Sequence, residues 1–230
     1  MASLETIGLY LNADTIVKNP GYLETLRQEL GLNVAIIGFS GALPPEVLAT
    51  SPYDGAPPSD ERLYSLLCRH LDGQPSATSL DRIRHSAGPH MHIGGNDATL
   101  REAIERAHAL DIDVWLLGGC WTANDFDVAM FCPSQEAVNA WYEAIYCHMA
   151  RSYGVEGLDV THARFTMTSY PRGMFICTCE ACARSAAELG YDMEAMKADI
   201  LDAQRRLAAY DGRQLAAIGR DALGAQDGLQ

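Results

Sequence analysis

The chain predicts an α/β protein built on a parallel sheet, and three observations carry that prediction. Short apolar runs bounded by polar residues or glycine recur along it. Each is followed by a segment whose apolar residues fall on one helical stripe. The second run, Asn33-Val-Ala-Ile-Ile-Gly-Phe39, is almost continuously apolar, as expected of a parallel strand. Strand and helix alternating at this spacing make βα units.

Ile7-Gly-Leu-Tyr-Leu-Asn12 is the first strand. Asn19-Pro20-Gly21 opens a helix from Tyr22 to Leu30, with Leu23, Leu26 and Leu30 on one stripe and Gly31 as its C-terminal stop. Residues 33–39 are the second strand. Residues 41–96 differ in composition. They hold seven of the ten prolines and six of the twenty glycines, and read as a long irregular insertion with one helix from Ser59 to about Leu71. His90-Met-His-Ile-Gly94 is a candidate short strand.

Regular alternation then resumes. Thr99-Leu-Arg-Glu102 fits a capping box opening a helix with Leu100, Ile104, Ala107 and Leu110 inward. Asp113–Cys120 is a strand. A helix is expected from Cys132-Pro133, with Val138, Trp141, Ile145 and Met149 inward. Gly157–Phe165 is the next strand. Two helices, 180–189 and 192–209, follow, broken at Gly190, with Met193, Met196, Ile200 and Leu207 on the inner face of the second. This gives four or five βα units in a single domain over 1–210, and a C-terminal tail over 211–230.

Composition narrows the function classes. At 48% apolar and 20% charged the chain reads as globular, and a formal charge of −13 argues against a phosphate-binding face or an anionic membrane surface. No apolar run approaches the roughly 20 residues of a spanning helix. The first residues carry no basic segment followed by an apolar stretch, so the expectation is a cytoplasmic protein. Its seven cysteines are then thiols or metal ligands rather than disulfides.

Ligands of parallel α/β folds bind at the carboxyl ends of the strands. Residues there include Asn12, Asp14, Ser40, Gly118, Cys120 and Trp121, and the run Asp159–Arg164. Trp121 is a candidate stacking platform for a sugar ring, whereas mid-strand Trp115 reads as core. Strand alternation puts Asp159, Thr161 and Ala163 on one face, with Leu158, Val160, His162 and Arg164 on the other. A carboxylate in the middle of such a strand needs a partner. Arg164 is the expected orienting group or substrate clamp. Asn12 and His162 are candidates for hydroxyl contacts.

Cys177-Thr-Cys-Glu-Ala-Cys182 places three thiols within six residues, enough to converge on one tetrahedral zinc with a fourth ligand from Cys132, His162 or water. A structural site is favoured over a catalytic one, because catalytic zinc usually has histidine or carboxylate ligands. Cys68, Cys120 and Cys147 read as small core hydrophobes. His85, His90 and His92 read as solvated loop residues, and His108 and His148 as partly buried packing residues.

The ordered set Phe131-Cys-Pro-Ser134, Trp141, Tyr153–Phe165, Phe175-Ile-Cys-Thr-Cys-Glu-Ala-Cys182 and Gly190-Tyr-Asp192 resembles a group of glycoside hydrolase-like β/α-barrel proteins, related to the α-amylase-like families, over roughly residues 100–195. The resemblance implies a TIM-type barrel, here partial because a full one takes about 250 residues. It also implies recognition, and hydrolysis if active, of a carbohydrate at the strand ends, with Asp159 as the central carboxylate. Relatives of this kind carry a second acid two residues later. Thr161 holds that place, and glycosidic cleavage normally uses two carboxyl groups. Two alternatives stay open. One is a catalytically silent carbohydrate-binding or structural module with zinc at Cys177, Cys179 and Cys182. The other is a metal-dependent hydrolase or isomerase using His162. A half-barrel would expose apolar strand edges, so self-association is expected.

Overall fold

The computed structural model describes residues 5–52, 60–74, 96–119, 131–161, 177–214 and 217. Four parallel strands form the sheet: β1 (Gly8–Leu11), β2 (Val34–Gly38), β3 (Asp113–Gly119) and β4 (Gly157–Thr161). They lie side by side in chain order. Eight described helices accompany them: α1 (Ala13–Lys18), α2 (Tyr22–Leu30), α3 (Pro45–Leu48), α4 (Asp60–Leu66), α5 (Asp97–His108), α6 (Glu136–Ser152), α7 (Glu180–Glu188) and α8 (Met193–Ala208). The candidate strand at 90–94 lies outside the described residues. The architecture is α/β, and the sheet, all-parallel, is not closed into a barrel among the described residues.

Residue type explains most of the element boundaries. Asn12 accepts the Asp14 N–H at 2.8 Å and caps α1. Gly31 ends α2 at φ 74°, where a side chain would be strained. The cap of α5 falls three residues earlier than the Thr99 capping box would place it. Asn96 accepts from the Thr99 N–H, because asparagine caps at least as well as threonine. Helix α6 likewise starts at Glu136 rather than at Cys132, since residues 131–135 are committed to a turn and an inter-segment bridge.

Strand alternation divides the sheet into two unlike faces. Ala35, Ile37, Val114 and Leu116 are fully buried under the helices, against Leu100, Ala103, Ile104, Val138, Trp141, Ile145 and Met149. At roughly 25 cal/mol per Å² of apolar surface, these side chains supply the main stabilisation of the fold. On the opposite face the register aligns Tyr10, Ile36, Trp115 and Gly157 in one row, and Gly38, Leu117 and Asp159 in the next. This face is open among the described residues. Tyr10 is 65% and Trp115 37% exposed, so the expectation that Trp115 is core fails.

The open face is concave. β1 and β4 are three strand spacings apart, about 14 Å in a flat sheet. A tyrosine and an aspartate cannot span that, yet the Tyr10 hydroxyl donates to Asp159 at 2.8 Å. The sheet must therefore curl so that its outer strands approach each other. Trp115 leans onto β4 within the curl. A Cβ on Gly157 would lie 2.7 Å from the indole, so only glycine leaves room for the ring.

Helix α8 departs from its expected packing. None of its residues is buried, and Met196 is exposed. It contacts chiefly α7, because no described strand follows to receive its apolar stripe.

Candidate metal centre and carboxylate face

Three separate stretches of chain meet at the cysteine cluster. Leu67 and Phe131 form an antiparallel bridge, and the Cys132 N–H donates to the Leu66 carbonyl at 2.8 Å. Thr178 docks on the same short stretch, its N–H on the Arg69 carbonyl and its hydroxyl on that of His70 at 2.6 Å. Residues 66–70 thus form a spine between Cys132 and the run Cys177–Cys182. Cys179 is the N-cap of α7 and Cys182 stands in its first turn, so the pair shares one side of the helix start. The positive end of the helix dipole favours thiolates there.

The four sulfurs of Cys132, Cys177, Cys179 and Cys182 lie within 4.8 Å of one another, and all four residues are buried. Cys132 is the hub, 3.3 Å from Cys182, 3.4 Å from Cys179 and 3.8 Å from Cys177. Zinc–sulfur bonds of 2.3 Å make a tetrahedron with edges of about 3.8 Å. The donor set and its spacing therefore fit a single tetrahedral ion. An iron–sulfur cluster would insert several metals and sulfides between the thiolates and hold them wider apart. Of the three candidates for fourth ligand, the structure brings in Cys132. His162 lies outside the described residues.

The electrostatics suit thiolate ligands. Hydrogen bonding with Cys132, then with Cys179 and Cys182, holds the Cys177 thiol well below its usual range. The Arg69 N–H adds a donor at 3.1 Å. Cys179 is lowered to about 7, first by its hydrogen bond with Cys132. Hydrogen bonding with Cys177, Cys179 and Cys182 holds the Cys132 thiol well above its usual range.

Sequence reasoning missed the fifth member. Cys68, read as a core hydrophobe, is buried in the same cluster, its thiol donating to the Phe131 carbonyl at 3.6 Å. The pairing of residue 67 with residue 131 and the docking of residues 177–178 on residues 69–70 bring it there, and nothing in local spacing signals that.

At the second site, Asp159 is half-buried on the concave face beside Trp115 and accepts from Tyr10. That bond, and the charge of Asp159 next to it, raise the Tyr10 pKa. Thr161, in the place of the second acid, donates to the Gly118 carbonyl at 3.4 Å. Asn12, expected at a ligand, uses its side-chain oxygen to cap α1. Asp14 pairs with Lys18 at 2.8 Å. Trp121, His162 and Arg164 lie outside the described residues, as do His85, His90 and His92. Tyr10 was not anticipated, since only the curl of the sheet sets it against Asp159.

No family model, curated protein or solved structure matches the chain. Among the described residues no helix is long and apolar enough to cross a membrane.

Proposed function

We propose that this chain is a partial β/α-barrel domain of the glycoside hydrolase-like kind. In this reading it recognises a carbohydrate on the concave sheet face, and a structural zinc at Cys132, Cys177, Cys179 and Cys182 braces it. The observation that carries the reading is the grouping of Tyr10, Trp115 and Asp159. Two exposed aromatic rings flank a carboxylate whose geometry is fixed by a hydrogen bond. An indole face stacks on the apolar side of a sugar ring, and a carboxylate accepts from its hydroxyls.

Binding without hydrolysis is the better-supported form. Asp113, the other strand carboxylate on this face among the described residues, stands four residues back along β3 from Leu117, the partner of Asp159. Strand rise makes that about 13 Å. Paired glycosidase carboxyls stand about 5–9.5 Å apart. The zinc would be structural, tying residues 66–70, 131–134 and 177–182 together where, among the described residues, the buried cluster is otherwise only cysteine, Ala181 and the partly buried Met193.

The test is calorimetric titration of the purified chain with a panel of oligosaccharides, alongside turnover assays on aryl glycosides. Binding that Asp159→Asn and Trp115→Ala each weaken supports the reading. Turnover lost in Asp159→Asn would convert it to a hydrolase. Failure of every glycoside to bind overturns it.

A further inference from the structure

We propose that Cys68 is an exchange ligand of the cysteine centre, a fifth sulfur that enters the coordination sphere as a rim ligand leaves, so that a fully buried site gives up and takes up its ion readily. The inference rests on the reading of the four-cysteine cluster as a metal centre.

Five thiols share this pocket, and a tetrahedral ion uses four. They are not equivalent. Cys132 and Cys177 are the deepest, at 0% and 2% exposure, while Cys179 and Cys182, at 8% and 9%, form the rim at the start of α7. Cys68 lies in the same buried cluster: its thiol donates at 3.6 Å to the Phe131 carbonyl, next to Cys132, and the N–H of the following Arg69 donates to the Cys177 sulfur at 3.1 Å. The deep pair therefore forms an edge common to two sets of sulfurs. One is completed by Cys179 and Cys182. The other takes Cys68 together with one of them.

Zinc can pass through a five-coordinate transition state, which would open an associative route between the two sets. As the Cys68–metal bond forms, the bond to Cys179 or Cys182 breaks. The proton of the incoming thiol passes to the departing thiolate, so the charge of the site is unchanged. Cys68 can make this approach because the Leu67–Phe131 bridge fixes its backbone beside Cys132, independently of α7. Had Cys68 been only a packing residue, an apolar side chain of similar size would serve at that position. A thiol within reach of two ligands adds chemistry that packing does not need.

The experiment loads the full chain with one equivalent of zinc and follows transfer to excess chromogenic chelator. Cobalt absorption then counts the sulfurs around the ion. Cys68→Ser should still hold one zinc per chain but release it severalfold more slowly than the wild type. Cys179→Ser should keep the full thiolate-to-cobalt band of the wild type, with Cys68 in the vacated place. The double variant Cys68→Ser/Cys179→Ser should fall to the weaker band of three sulfurs. Cys147→Ser, in α6 and outside the cluster, should match the wild type throughout.

Equal release from wild type and Cys68→Ser, or a three-sulfur band already in Cys179→Ser, overturns the exchange role while leaving the metal centre standing. A wild-type chain that takes up neither zinc nor cobalt overturns both. If Cys68→Ser does not fold, the cobalt spectrum of Cys179→Ser decides the matter alone.

Discussion

The Tyr10 hydroxyl donates a 2.8 Å hydrogen bond to Asp159 Oδ2, joining the first and last strands of the sheet across 149 positions of sequence. This contact fixes both the curl of the sheet and the orientation of the carboxylate. It also sets the titration of Tyr10, because the bond stabilises the neutral phenol and the carboxylate repels the phenolate. Asp159→Asn removes the charge, so Tyr10 should ionise at lower pH in that variant than in the wild type. Ring-carbon NMR of labelled tyrosines, with Tyr10→Phe assigning the resonance, reads the shift. A Tyr10 titration unchanged by Asp159→Asn would mean that the two strands do not meet in solution.

Gly157 tests the concave face from the packing side. A methyl group there would stand 2.7 Å from the Trp115 indole and force it away from β4. Gly157→Ala should cost about 1–3 kcal/mol, the usual range for overpacking. The same change should shift the emission of Trp115, with Trp115→Phe identifying its share of the fluorescence. A silent Gly157→Ala would show that the indole does not lie across β4.

The contrast between these residues and the helices shows what a sequence exposes to inspection. The stripe Val138, Trp141, Ile145 and Met149 could be read directly, since burial on one side of a helix imposes its own period. Asp159 and the three clustered cysteines stood out because each is costly or unusual where it sits. Cys132 was one of three candidates for the fourth ligand, but its central place, Tyr10 and Cys68 were not legible, for a common reason. Each gains its role from a partner 45 or more positions away. Trp115 was misjudged for a related reason: alternation says which residues share a face but not whether anything covers it. The caps of α5 and α6 slipped because several polar residues compete for the same start, and tertiary anchoring of residues 131–135 settles the second case.

Metal removal should act through the cysteine knot. Leu66, Leu67 and Phe131 are anchored in the main core, but the run 177–182 shares its pocket chiefly with cysteines, so little apolar packing holds that run in place once an ion is withdrawn. Reduced chain stripped with a chelator should melt at a lower temperature than zinc-loaded chain, and added zinc should restore the higher value. Cys132→Ser should lose the most, as it contacts the other three ligands. Coincident melting curves with and without zinc, measured by circular dichroism, would remove the structural role.

Acid should unfold the domain partly through two carboxylates at the ends of α5. At Asp97, burial raises the pKa, but the Tyr153 hydroxyl at 2.5 Å, Arg101 and the Ala42 N–H together hold it below its ordinary value. At Glu156, burial is likewise outweighed by the Val114 N–H at 2.8 Å and by His108 at 3.1 Å. A carboxyl whose pKa is lower folded than unfolded stabilises the fold above its unfolded value, near 4. That contribution fades as pH falls through the depressed folded value, where both forms become protonated. Stability should therefore be flat from neutral pH down to about 5 and drop below about 4. Asp97→Asn should be less stable at neutral pH, since the amide is a poorer acceptor for Tyr153 and Arg101, yet its acid limb should be shallower. Tyr153→Phe should cost about 1 kcal/mol at neutral pH through the lost hydrogen bond. Urea midpoints across this pH range check both. If Asp97→Asn falls as steeply in acid as the wild type, the loop after β2 is not held to α5 through that carboxylate.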